Sequence, residues 1–84
     1  EVLKLSPKSV YALYNRGFIY MLMGDYTSAI GSFNEAIAIK PDLGEAFYNR
    51  GLMYFKLGNR EKGVADLSNA GELGVLPSYN ELLM

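Results

Sequence analysis

The sequence predicts an all-α fold of antiparallel helix-turn-helix repeats, and two observations carry this prediction. The first is an internal repeat, because residues 7–40 align with residues 41–74 without a gap at nine identical positions. Chance would give about two or three identities at ordinary residue frequencies. The second is that a Gly-Asp or Gly-Asn dipeptide divides each copy into two helix-length segments, and a turn this short places two helices antiparallel and in contact. The identical pairs are Pro7/Pro41, Ala12/Ala46, Tyr14/Tyr48, Asn15/Asn49, Arg16/Arg50, Gly17/Gly51, Tyr20/Tyr54, Gly24/Gly58 and Ala36/Ala70.

The first copy contains the signals that begin and end two helices. Ser6-Pro7 supplies an N-cap and a first-turn proline, and the helix that follows is expected to reach Met23. Gly24-Asp25 is a turn dipeptide that ends this helix and caps the next one. The second helix is predicted over residues 26–39, where Lys40-Pro41 stops it because proline cannot continue a helix.

The second copy repeats these signals with weaker helix formers. A helix is expected to end near Leu57, before a break at Gly58-Asn59, and another is expected over residues 60–73. Glycine in a helix interior costs about 1 kcal/mol relative to alanine. Gly17 and Gly51 are therefore expected where the helices cross, so that Phe33 or Leu67 can approach the backbone closely.

Composition narrows the classes of function. The 84 residues suit one domain, and the net charge of −1 gives no field that would attract nucleic acid or an anionic membrane. Histidine and cysteine are absent, which removes the usual zinc ligands, the usual general base and any disulfide. We therefore predict no catalytic residues, no metal and no cofactor. The compartment stays unknown, with the cytoplasm as the default assumption.

The positions that repeat in phase resemble the tetratricopeptide repeat, whose pattern runs from a large residue through Leu-Gly, tyrosine, alanine and an aromatic residue to a closing proline. In the first copy the matching residues are Leu13, Gly17, Tyr20, Gly24-Asp25-Tyr26, Ala29, Phe33, Ala36 and Pro41. In the second copy they are Phe47, Gly51, Tyr54, Gly58, Leu67 and Ala70. The resemblance covers residues 10–77. It implies a right-handed α-solenoid that binds proteins, with the first helix of each hairpin lining a concave groove.

The resemblance divides the chain, read as a single domain over 1–84, into four parts. Repeat one is expected at 10–43 and repeat two at 44–77, with 1–6 as the tail of a preceding repeat and 77–84 as a capping helix. The second copy has Gly63 in place of the small alanine and Arg60 in place of an aromatic residue, which is typical of a terminal repeat. We expect a segment cut from an array that continues upstream.

The first helix has two apolar sides, and only one is needed for packing its hairpin. At about 100° per residue, one side carries Val10, Leu13, Gly17 and Tyr20. The opposite side is apolar around one amide, which indicates a binding surface. The candidate partner-binding residues on this side of both copies, with two flanking tyrosines, are Tyr11, Tyr14, Asn15, Phe18, Leu22, Glu45, Tyr48, Asn49, Leu52 and Lys56.

Two alternatives stay open for the paired polar side chains. Asn15 and Asn49 can hold a peptide group of an extended ligand, or they can bond within the seam between hairpins. Tyr14 and Tyr48 can contact a ligand or fill that seam. In relatives that bind chaperone tails, lysine and asparagine stand where this chain has Tyr14 and Phe18, so the resemblance does not carry over their carboxylate clamp. An apolar or aromatic-bearing peptide is the expected ligand.

The leading prediction of function is a protein-protein interaction module that binds a peptide or partner protein in the groove. The alternative is homo-oligomerisation through an exposed hairpin edge around Val10, Leu13 and Tyr14. Arg16 and Arg50 are expected to be solvated or salt-bridged. Neither nucleic-acid binding nor direct membrane insertion is expected, because the sequence has no basic stripe and no apolar run of about 18–20 residues.

Overall fold

A computed structural model of the protein describes residues 7–75, which form two antiparallel helical hairpins. The first hairpin consists of α1 (Pro7–Leu22) and α2 (Tyr26–Ile39), and the second of α3 (Gly44–Lys56) and α4 (Arg60–Glu72). The predicted boundaries are confirmed to within one residue, with α1, α3 and α4 each ending one residue early. The predicted tail at 1–6 and the capping helix at 77–84 lie outside the described residues.

The hairpin turns are built by the glycine dipeptides. Gly24 has φ +82°, a left-handed conformation that glycine adopts without steric cost. It allows the Asp25 N–H to donate to the Tyr20 carbonyl at 3.0 Å, so the last carbonyls of α1 are satisfied. The Asp25 side chain then accepts from the Ser28 N–H at 3.3 Å and caps α2. The prediction that one dipeptide ends a helix and caps the next is confirmed.

The second hairpin uses the same construction. Gly58 has φ +85°, and the Asn59 side chain accepts from the Lys62 N–H at 3.2 Å. The α3 helix begins differently, because its N-cap residue Leu43 makes no side-chain capping bond and is instead 4% exposed within the core. Packing rather than capping therefore holds the start of α3.

Close backbone approach explains the mid-helix glycines. A β-carbon built on Gly17 would lie 2.6 Å from Cε1 of Phe33, whose ring is fully buried. The predicted contact is confirmed there. At Gly51 the nearest atoms are Cβ of Asp66 at 2.9 Å and the carbonyl oxygen of Gly63 at 3.0 Å, and Leu67 Cδ2 lies at 3.4 Å. The expected leucine is therefore near Gly51, but an aspartate comes closer.

The described helices pack mainly on their neighbours in the chain. The α2 helix lies between α1 and α3, α4 packs on α3, and a smaller contact joins α1 to α3. One core cluster joins α1, α2 and α3. It consists of Val10, Ala29, Phe33, Ala36, Leu43, Ala46 and Met53. None of these four helices combines the length and apolar character needed to cross a membrane. The arrangement is a short α-solenoid of two hairpins.

Candidate partner-binding groove

The α1 helix leaves a large apolar side open, which we call the outer face of α1 (Tyr11, Asn15, Phe18 and Leu22). The side chains of Tyr11, Phe18 and Leu22 are 47%, 39% and 71% exposed, whereas Val10 on the opposite side is 3% exposed. The prediction of two unlike sides on this helix is confirmed. The same burial shows that the prediction of an exposed hairpin edge around Val10 is wrong, because packing covers that side of α1. The exposed apolar side of the first hairpin is instead the outer face of α1.

The corresponding side of α3 is more polar and more covered. Glu45 and Lys56 are exposed at the two ends of the helix, and Tyr48 and Leu52 are half-buried between them. The ten candidate residues are thus not equivalent in the two repeats. The first repeat contributes most of the exposed apolar surface, and the second contributes the charges.

Asn49 and Tyr14 form a hydrogen bond across the seam between α3 and α1. Nδ2 of Asn49 donates to the Tyr14 hydroxyl at 2.7 Å, and the asparagine is 8% exposed. The Tyr14 ring packs against Phe33, with ring centroids 5.7 Å apart. Of the two alternatives, the seam is therefore the one observed for this pair. Asn15, at the same position of α1, has an exposed amide.

The environment of the seam shifts the pKa of the Tyr14 hydroxyl upward. Burial raises the pKa of Tyr14 above its ordinary value, because a phenolate is disfavoured away from water. The negative charge of Glu45 raises the pKa further, while the hydrogen bond from Asn49 acts in the opposite direction. This tyrosine is a neutral structural partner at physiological pH.

A pocket of about 590 Å³ lies where the outer face of α1 meets the C-terminal half of α3. Three of its lining residues, Leu22, Leu52 and Lys56, belong to the predicted set. Its other lining residues were not in that set, and they are Met21, Tyr26, Met53 and Phe55. We call this cavity the end pocket. It is an apolar hollow with a single lysine beside it.

The wall of the end pocket explains why the second repeat has glycine instead of alanine. A β-carbon built on Gly63 would lie 2.9 Å from Cδ2 of Phe55. The first repeat has Met21 and Ala29 at these two positions, so the larger ring in the second repeat is matched by a smaller partner. The coupled change at positions 55 and 63 was the sequence signal for this wall.

Arg50 is committed to structure rather than to a ligand. Its Nε and Nη2 donate to the two carboxylate oxygens of Asp66 at 2.8 Å, and its Nη1 donates to Asn34 Oδ1 at 2.8 Å. The Asp66 side chain is 5% exposed. Hydrogen bonding to Asp66 raises the pKa of Arg50, so the guanidinium stays charged.

Arg16 makes the corresponding but more exposed contacts in the first hairpin. It donates to Ser32 Oγ at 2.9 Å and to Glu35 Oε1 at 3.3 Å. Both arginines were expected to be solvated or salt-bridged, and each forms a salt bridge. Within residues 7–75 no cluster of three acidic side chains could hold a metal ion.

Comparison with known families agrees with this geometry. A family described as "TPR repeat" matches residues 19–58, and one described as "Tetratricopeptide repeat" matches residues 45–72. A search of curated proteins returned no match. Repeats of this family generally mediate protein-protein interaction and are generally non-catalytic. The two matches together span 19–72, from the second half of α1 to the end of α4, and the chain therefore belongs to the tetratricopeptide-repeat family.

Proposed function

We propose that the outer face of α1 and the end pocket bind a segment of a partner protein. The observation that supports this most strongly is the row of exposed large apolar side chains on α1, which continues through Leu22 into the pocket. Contiguous exposed apolar surfaces mark interaction sites, whereas single exposed apolar residues are common on any protein. Aromatic side chains such as Tyr11 and Phe18 supply much of the energy at such surfaces.

The polar groups beside this surface indicate which residue types the bound partner segment would contain. The exposed amide of Asn15 offers a donor and an acceptor to a peptide group of an extended ligand. Lys56 beside the end pocket favours an acidic residue next to an apolar one, and Glu45 at the other end of α3 favours a basic residue. Tyr14 and Asn49 support this surface from the seam, so we do not assign them to ligand contact.

Peptide selection followed by titration tests the proposal. Peptides selected from a random library on the immobilised protein are titrated, as labelled synthetic peptides, against the wild-type chain and its variants. Phe18→Ala and Leu22→Ala are each expected to weaken binding by about fivefold to thirtyfold, because truncating a central apolar contact costs about 1–2 kcal/mol.

The matched control is Leu57→Ala. Leu57 is 51% exposed but does not line the end pocket, so its truncation should leave the affinity unchanged. Circular dichroism verifies that all variants remain helical. Unchanged affinity in folded Phe18→Ala and Leu22→Ala, or failure to select any binding peptide, would contradict the proposal.

A further inference from the structure

The end pocket contains two of the three methionines that the structure describes. Met21 and Met53 line it, whereas Met23 does not. Met21 is half-buried, so solvent reaches its side chain through the mouth of the pocket. Met53 is 2% exposed and belongs to the core cluster, and Met23 is 68% exposed. The pocket therefore has one methionine that solvent reaches and one that packing shields.

The end pocket lies at the turn end of the hairpins, far from both undescribed segments. Its walls come from both hairpins. Pro7 begins α1 and lies about 20 Å along the helix axis from Met21, at about 1.5 Å per residue. Val75 lies at the start of α3, because a β-carbon built on Gly44 would be 2.7 Å from its Cγ2. The pocket is thus a feature of the contact between the two hairpins and not of a chain terminus.

Methionine is the one residue type in this wall that a mild oxidant converts from apolar to polar. Hydrogen peroxide transfers one oxygen atom to the thioether sulfur. The O–O bond breaks, an S–O bond forms, the sulfur loses two electrons, and the peroxide is reduced to water. Methionine sulfoxide reductases return the sulfoxide to the thioether, with one enzyme for each sulfoxide epimer. The chemistry is therefore reversible.

The aligned position of the second hairpin lacks this chemistry. Phe55 stands 34 positions after Met21, and its ring is not a target of peroxide. The repeat accommodates that ring because Gly63 leaves room for it, since a β-carbon there would lie 2.9 Å from Cδ2 of Phe55. The repeat itself therefore does not require a methionine at this position, and the oxidisable wall is a property of the first hairpin.

We propose that oxidation of Met21 to its sulfoxide switches off partner binding at the end pocket, and that reduction restores it. This inference rests on the function proposed above. In the unbound chain, the sulfoxide oxygen of a half-buried side chain can face water. A partner side chain that fills the pocket covers this oxygen, and burial of a polar group without a hydrogen bond is costly.

Lys56 is the charged donor on the wall of the same pocket. If it donates to the sulfoxide oxygen, it is no longer available to an acidic residue of the partner. The buried oxygen thus either has no donor or takes the donor that the partner would use. Both arrangements weaken binding.

Burial restricts the switch to one residue. Oxidation of methionine requires access to the sulfur, so Met53 is protected by its packing. Met23 is accessible and is expected to be oxidised, but it lies outside the pocket. Its modification should leave binding unchanged, so the chain contains its own control.

Peroxide treatment of two matched variants tests the proposal. Met23→Leu/Met84→Leu retains the thioether of Met21, and Met21→Leu/Met84→Leu retains that of Met23. Met84 lies outside the described residues and is removed from both variants. Leucine replaces methionine at nearly constant volume. Mass spectrometry of proteolytic fragments identifies the methionine that gained oxygen, and the probe is a labelled peptide selected from a random library on the wild-type chain.

The two oxidised variants are expected to differ. The variant with oxidised Met21 should bind the peptide roughly tenfold more weakly than before treatment. The variant with oxidised Met23 should bind as it did before, and the two sulfoxide reductases together should restore the first variant. Met53 should remain unmodified while Met21 is converted, and equally fast oxidation of both would contradict the assignment to one residue.

Unchanged affinity after complete oxidation of Met21 would overturn the proposal. If Phe18→Ala and Leu22→Ala still weaken the same peptide, groove binding stands and the switch alone has failed. If neither substitution weakens it, the proposed function has failed and the switch fails with it.

Met21→Gln keeps the test valid if oxidation disturbs folding. Glutamine places a polar amide at this position without any oxidant, and circular dichroism verifies that the variant is folded. Met21→Gln is expected to bind the peptide several-fold more weakly, whereas Met21→Leu should bind as the wild type does. Wild-type affinity of folded Met21→Gln would show that a polar group at this wall is tolerated, and it would overturn the proposal.

Discussion

At the scale of single residues, the two asparagines show how position in the array changes the role of one side chain. Asn15 and Asn49 occupy the same place in two aligned helices. Asn49 is buried and bonded to the Tyr14 hydroxyl, whereas Asn15 exposes its amide. The difference comes from the helices next to them. A residue that is structural in one repeat is thus available for recognition in the other.

Gly17 and Gly31 make a matched pair for testing close approach in helix interiors. A β-carbon on Gly17 would meet the buried Phe33 ring at 2.6 Å, whereas one on Gly31 would meet nothing within 4 Å. Gly17→Ala is expected to destabilise the protein by about 1–2 kcal/mol, because overpacking outweighs the gain in helix propensity. Gly31→Ala is expected to stabilise it by about 0.5–1 kcal/mol.

Urea unfolding followed by circular dichroism measures both glycine variants. The sign of the change is the informative quantity, since the substitution is chemically the same at both positions. Equal changes at Gly17 and Gly31 would mean that helix propensity alone decides the outcome and that Phe33 yields to the added methyl group.

Tyr14 is expected to make stability fall at alkaline pH. Its pKa in the folded protein is raised, so the folded state holds the phenolic proton more tightly than the unfolded chain does. The contribution of Tyr14 is then fully present below about pH 10 and is lost as the pH rises through the folded pKa. The stability advantage of the wild type over Tyr14→Phe should therefore shrink as the pH rises above about 10.

Unfolding by urea at a series of pH values provides the measurement. Tyr11→Phe is the reference variant, because it removes an exposed hydroxyl from the same helix. A difference between the wild type and Tyr14→Phe that stays constant with pH would show that the Tyr14 proton is not coupled to folding.

At the scale of elements, local sequence determines where a helix ends, whereas packing against other helices determines how stable it is. The α4 helix contains Gly63 and Gly71, so its intrinsic propensity is low. It nevertheless runs from Arg60 to Glu72, because Asp66, Leu67 and Ala70 are buried against α3. Most helical stability in proteins comes from such packing.

Asp25 tests the local part of this account. Asp25→Ala removes the acceptor that caps the Ser28 N–H and is expected to cost about 1 kcal/mol, within the range of 0.5–2 kcal/mol for lost caps. Asp25→Asn retains an oxygen acceptor and should stay close to the wild type. Thermal unfolding of the three proteins compares them, and equal losses in both variants would point to the charge rather than the cap.

The same distinction explains which features could be predicted from the sequence. Helix boundaries depend on Gly24, Gly58 and their following residues, so local patterns were sufficient. The Tyr14–Asn49 bond joins residues 35 positions apart, and a helical wheel of one helix carries no information about the neighbouring helix. The contribution of Phe55 to the end pocket was missed for the same reason, although the glycine at position 63 indicated that a large side chain packs there.

At the scale of the whole molecule, stability follows from contacts between consecutive helices. The α2 and α3 helices each have packed neighbours on two sides, whereas α4 packs chiefly on α3 among the described helices. In arrays of this kind, stability is approximately a sum of terms for each repeat and each interface. The molecule should therefore open from one end rather than all at once.

Hydrogen exchange measured by NMR tests this order of opening. Backbone amides in the middle of α4 are expected to exchange faster than those in the middle of α2, because α4 has fewer neighbours and two interior glycines. The comparison requires conditions in which the exchange rate reports the opening equilibrium. Equal protection of α2 and α4 would show that both hairpins open as one cooperative unit.

Arg50 has a consequence for the shape of any longer array. Its guanidinium holds Asp66 in its own hairpin and Asn34 in the hairpin before it. Because the guanidinium is planar and rigid, its two sets of hydrogen bonds favour one angle between consecutive hairpins. Small rotations between repeats add up to the pitch and curvature of a solenoid. The ion pair between Arg50 and Asp66 thus contributes to the width of the opening that a ligand would enter, although it lies outside the outer face of α1 and the end pocket.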